Sequence, residues 1–140
     1  MAAAARNHNR SGSQGGTATA FINNSTISGN RALLSPGFAG GVTALGWDGG
    51  SGTVTLSNCT VTANDAPGVN SGAARMIIDT TNGGSAAITL HNTIVAGNYR
   101  LGSTPSDITG TVNPASSFNL IGTGGSGGLT NGVNNNRRSG

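Results

Sequence analysis

Four aspartates, seven arginines, two histidines and one cysteine are the side chains of this 140-residue chain with the most reactive potential. Glycoside hydrolysis would need two carboxyls flanking a scissile bond, and the candidates are Asp48, Asp65, Asp79 and Asp107. Placed on the internal period described below, no two of them coincide: Asp65 falls over Arg31 and Asp79 over Leu45. Arg75 and Asp79 share strand parity, as a base beside cation ligands would in an elimination reaction, but a surface ion pair accounts for them equally well. His8 and His91 do not recur in register, so a metal centre has no support. The run Gly124–Gly125–Ser126–Gly127–Gly128 lacks the Asp of a calcium-binding nonapeptide and the Lys of a phosphate loop, and reads as a flexible turn. Cys59 has no second cysteine to pair with and reads as a small core residue. No catalytic, cofactor-binding or metal-binding residue is assigned.

The elements that would position any such chemistry are repeats. Asn24, Asn58 and Asn92 are 34 residues apart, as are Asn30, Asn64 and Asn98. Between them lie Ser25–Gly29, Cys59–Ala63 and Thr93–Gly97. Gly16/Gly50/Gly84, Ala20/Val54/Ile88 and Ile22/Leu56/Leu90 extend the register upstream, and Gly40/Ala74/Ile108, Val42/Met76/Gly110 and Ala44/Ile78/Val112 form a further band. Apolar positions two apart are the period of strands with one buried face. A fixed period of this length marks a repeat architecture. Helical repeats are excluded by 25 Gly, the absence of Glu and Lys, and a wealth of Thr, Ser and Asn. The expectation is an all-β solenoid of about three coils of 34 residues, with like side chains stacked at about 4.8 Å. Ile27/Val61/Val95 should point inward, and Ser25/Cys59/Thr93 and Gly29/Ala63/Gly97 with them. Both Asn columns should sit at corners as amide ladders, Asn58 within a buried one.

Composition bounds the partners. Only 8% of residues are charged, the net charge is +3, and the arginines are scattered with no clustered aromatics, which speaks against nucleic acid. No apolar run reaches the length of a membrane span. The outward hydroxyls Thr26/Ser28 and Thr60/Thr62 resemble a water-ordering array, but it breaks at Ile94 and Ala96.

In its strings Asn24–Asn30, Thr55–Asn64 and Thr89–Asn98, followed by Ser106–Gly110, Phe118–Gly122 and Gly128–Gly132, the chain resembles right-handed parallel β-helix repeat proteins of the bacterial cell surface, secreted proteins of the choice-of-anchor type. The resemblance covers roughly residues 16–136 and matches the C-terminal part of such a β-helix, as a fragment would. The residues depart from that pattern at both ends and read as a poorly patterned segment 1–15, a repeat domain 16–133 and a polar tail 134–140. The resemblance implies an extracellular, non-enzymatic spacer, adhesin segment or carbohydrate-contacting module. Polysaccharide lyases and hydrolases share the fold and supply the enzymatic alternative. Open coil ends, both lacking obvious caps, would allow self-association or a head-to-tail filament of copies.

Overall fold

The computed structural model describes residues 3–7, 15–32, 39–46, 48–66, 72–78 and 83–139, with 3–7 and 72–78 as backbone only. The chain is all-β, in four sheets whose neighbours come mostly from successive repeats. The first sheet holds β1 (Ala3–Asn7), β4 (Ala39–Gly46), β8 (Gly72–Ile78) and β13 (Ile108–Thr109). The second holds β2 (Thr17–Asn23), β5 (Ser51–Ser57) and β9 (Ser85–His91). In the third, β3 (Thr26–Ser28), β6 (Thr60–Thr62), β10 (Ile94–Val95), β14 (Leu120–Ile121) and β15 (Arg137–Arg138) follow one another. The fourth joins β7 (Asp65–Ala66), β11 (Tyr99–Arg100) and β12 (Thr104–Pro105). Every pairing is parallel except β11 with β12, a short turn-linked excursion. Among the described residues no helix is long and apolar enough to cross a membrane.

The second sheet follows the sequence period directly: Val54 pairs with Ala20 and with Ile88, and Leu56 with Ile22 and with Leu90. β5 alternates half-buried and buried residues along its length, the mark of one face on a core. Val54, Leu56, Val61, Ile88, Leu90, Val95 and Ile121 are at most 2% exposed. The core is narrow because backbones of neighbouring sheets touch. A side chain at Gly52 would strike the Leu45 carbonyl, and one at Gly46 the Ser85 carbonyl.

Four expectations need correction. The first sheet keeps the 34-residue step only between β8 and β13 (Ala74 with Ile108): Val42 pairs with Ala74 and Ala44 with Met76, after a register shift between Ala39 and Val42. A shift of two keeps every side chain on its face, so the strand pattern survives while the columns change. Gly29, Ala63 and Gly97 are exposed, because each takes a left-handed backbone conformation (φ 66°, 53° and 68°) that turns the chain and ends strand parity. Within the expected tail 134–140, the described residues 134–139 are packed, since Arg137–Arg138 pair with Leu120–Ile121 and Asn136 is 1% exposed. β1 likewise joins a sheet from within the segment expected to be unpatterned, through a step of 39 rather than 34 (Ala3 to Val42).

The C-terminal end of the stack is covered. Leu129 is 5% exposed, Gly127 lies against Ile108 and Val112, and Val112 N–H donates to the Gly127 carbonyl at 2.9 Å. The glycine-rich run is therefore a fitted lid: its left-handed Gly125 and Gly127 approach Ile108 of the last strand more closely than a side chain would permit. At the other end, Ala18, Ala20 and Ile22 are only partly buried against the core.

Candidate functional site

Two side-chain columns run through this stack, and one of them borders a cleft. The buried column begins with Asn30, Asn64 and Asn98. Asn30 Nδ2 donates to Asn64 Oδ1 at 2.9 Å, and Asn64 Nδ2 to Asn98 Oδ1 at 3.0 Å. Each Oδ1 also accepts the backbone N–H of the preceding asparagine, at 3.2 and 3.1 Å. Asp107 ends the column, its Oδ1 taking Asn98 Nδ2 and N–H and its Oδ2 taking Gly124 N–H. The one aspartate buried among the described residues is thus the terminus of an amide ladder.

The exposed column starts with Asn24, Asn58 and Asn92, which adopt left-handed conformations (φ 50°, 54° and 47°). Asn tolerates that region better than other residues with a side chain, so these residues form the corner between the second and third sheets. The expected buried ladder at Asn58 is not found; its side chain is exposed, and Asn92 Nδ2 donates to Asn58 Oδ1 at 2.7 Å in solvent. The column continues where the period breaks. His91 bridges to Ser117, Asn92 N–H donates to the Ser117 carbonyl and Phe118 N–H to the Asn134 carbonyl. Phe118 and Asn135 (φ 60° and 58°) therefore take the next two corners, after steps of 26 and 17 residues.

Between this corner and the outer face of the third sheet lies an open cleft of about 520 Å³. Its rim is Asn58, Asn92, Phe118 and Asn135, and its other side Thr60, Ile94, Leu120 and Arg137. Ile94 pairs with Leu120 and Leu120 with Arg137, so two apolar side chains (41% and 44% exposed) lie between a hydroxyl and a guanidinium. Phe118 is 55% exposed and meets His91 edge to face, with ring centroids 5.7 Å apart. His91 Nδ1 and Ser117 Oγ are hydrogen-bonded at 2.9 Å, which holds the imidazole beside the ring. A left-handed conformation costs a bulky residue about 1–2 kcal/mol, yet here the column of asparagines admits a phenyl ring and leaves it half in solvent.

The other residues considered from the sequence fall elsewhere. Asp48 is exposed in a turn, and Asp65 pairs with Arg31 at 3.2 Å while accepting Gly102 N–H at 2.9 Å. Asp79 and His8 lie outside the described residues, as does the Arg75 side chain. The outward hydroxyl set of Thr26, Ser28, Thr60 and Thr62 does give way to Ile94 and Leu120. Among the described residues no group of histidine, cysteine and carboxylate side chains could hold a metal ion. Among the described residues no carboxylate or imidazole lines the cleft.

Cys59 is buried beneath the cleft, its Sγ 3.2 Å from the Ser57 carbonyl. Ser25 and Thr93, one repeat away on either side, direct their hydroxyls to the equivalent carbonyls of Asn23 and His91. A hydroxyl is thus already the column's usual solution. Cys59→Ser is expected to change stability by less than about 1 kcal/mol, and the native thiol to resist alkylation until the protein unfolds. Rapid labelling under native conditions would show that the column opens.

Phe118, Leu120, Asn135 and Arg137 were not singled out from the sequence because they follow the change of period. A signal was present: Phe118–Asn119–Leu120–Ile121 repeats the form of Asn92–Thr93–Ile94–Val95, with Phe118 in the corner position. Comparison with protein-family models, curated proteins and solved structures finds no match.

Proposed function

We propose that the chain is a non-enzymatic binding module of an extracellular bacterial parallel β-helix protein, right-handed in its winding, which contacts carbohydrate through the cleft beside Phe118. The supporting observation is the cleft's lining: an exposed ring and two aliphatic side chains flanked by amides, a hydroxyl and a guanidinium. A sugar offers the complement, with an apolar C–H face for the ring and hydroxyls for Asn58, Asn92 and Thr60. An open, shallow site suits holding a chain in passing better than enclosing a reacting bond. Among the described residues that line the cleft none is a carboxylate or imidazole placed to move protons, which favours the non-enzymatic reading. The parallel sheets stacked repeat upon repeat support the β-helix, and placement at a bacterial surface rests on the resemblance of the repeat strings alone.

The test is a glycan array with the full chain, followed by assays for reducing ends and unsaturated products on every glycan retained. Binding of at least one class, at a Kd no weaker than about 1 mM, without turnover, is the expected result. Turnover would replace the module by an enzyme, and no binding to any glycan would remove the carbohydrate reading.

A further inference from the structure

We infer that the cleft is built for an anionic sugar, with the ring of one unit against Phe118 and its acidic substituent at Arg137; this rests on the carbohydrate reading above. Two independent observations point to it. The first is the conformational anomaly at Phe118. Four other corners of its column, Asn24, Asn58, Asn92 and Asn135, are asparagine at φ between 47° and 58°, and asparagine would also suit Phe118 at 60°. A strained residue that covers no core, sits 55% exposed and lines a cleft is retained for something other than folding. An exposed aromatic face is what a pyranose ring stacks upon.

The second observation is charge. Arg137 is exposed, lines the same cleft, and has no carboxylate partner among the described residues, whereas Arg31 is paired with Asp65. β15 holds the Arg137 backbone: its N–H donates to the Asn119 carbonyl at 2.7 Å. The neighbouring lining is neutral, since Asn58, Asn92 and Asn135 supply amides and Thr60 a hydroxyl. A guanidinium facing a lining without negative charge attracts an anion, and its planar fork suits a carboxylate in two-pronged contact. Ile94 and Leu120 lie in the register positions before Arg137, so the anion would be held beside apolar surface that weakens competition from water.

The experiment is titration calorimetry of the full chain with three oligosaccharides: a hexuronate trimer, its carboxyl-reduced neutral counterpart, and that neutral trimer carrying sulfate. At least one acidic form should bind about tenfold more tightly than the neutral one, with the advantage shrinking as salt is raised. The two acidic arms tell carboxylate from sulfate. Arg137→Gln should bring the ratio of acidic to neutral affinity down to about one. Phe118→Asn should weaken all binding about tenfold with a Tm unchanged or raised by about 3 °C. Equal affinity for neutral and acidic forms would overturn the anionic assignment and leave the carbohydrate reading standing. Absence of binding to all three would count against both. A Phe118→Asn chain whose Tm falls sharply while its affinity is kept would make the ring a packing residue and overturn its role as a platform.

Discussion

Asn64→Ala is expected to destabilise the protein by about 3 kcal/mol, and Asn58→Ala by only about 1 kcal/mol. The two asparagines occupy matching columns of one repeat, so the contrast isolates what each column does. Asn64 is 1% exposed and central in its ladder. Its Oδ1 accepts Asn30 N–H and Nδ2, and its Nδ2 donates to Asn98 Oδ1 and to the Ile27 carbonyl at 2.9 Å. Alanine would leave the Asn30 N–H and the Ile27 carbonyl without these partners, in a space too narrow for water to replace the amide readily. Asn58 instead turns a corner at φ 54° with an exposed side chain. Replacing it adds modest backbone strain and removes one solvent-facing hydrogen bond. Urea titrations of both variants measure the difference. Equal losses would mean that the buried column carries no special weight, and Asn58→Gly, expected to be nearly neutral, checks that the corner's requirement is conformational.

The sequence made the repeats legible because three of them are equal in length. Ala20/Val54/Ile88 and Ile22/Leu56/Leu90 could be paired by counting, and they stack as counted. Counting failed where loops change length: between β4 and β8, and again after β10, where the step falls from 34 to 26 and then 17 residues. That second failure hid the site, since Phe118 and Arg137 enter its column only through the shortened steps. The assignment of the two asparagine columns failed for a different reason. Asparagine serves equally at a left-handed corner and in a buried ladder, so identity alone cannot separate them. Context can. Gly29, Ala63 and Gly97 turn the chain just before Asn30, Asn64 and Asn98, which relieves those asparagines of the corner and frees their amides for the interior.

The direction of that ladder dictates the remaining prediction. Each amide presents its oxygen to the repeat before it and its nitrogen to the repeat after it, so the dipoles add along the column. The last member must accept from Asn98 on one side. On its other side stands Gly124 N–H, a second donor, 2.9 Å from Asp107 Oδ2. An asparagine there could satisfy one donor and would turn its own NH2 against the other; only a carboxylate accepts from both. Asp107→Asn, a change of one atom type with no change of shape, is therefore expected to cost about 2–4 kcal/mol, and to loosen the glycine-rich lid that begins at Gly124. Asp48→Asn in an exposed turn should stay within about 0.5 kcal/mol. Hydrogen exchange adds the spatial readout: in Asp107→Asn the amides of Gly124 and Asn98 should lose protection before those of Leu56 and Val54 in the central strand of the second sheet. A variant as stable as the parent, with Gly124 still protected, would show that the ladder can end in an amide, and that the carboxylate at 107 is there for another purpose.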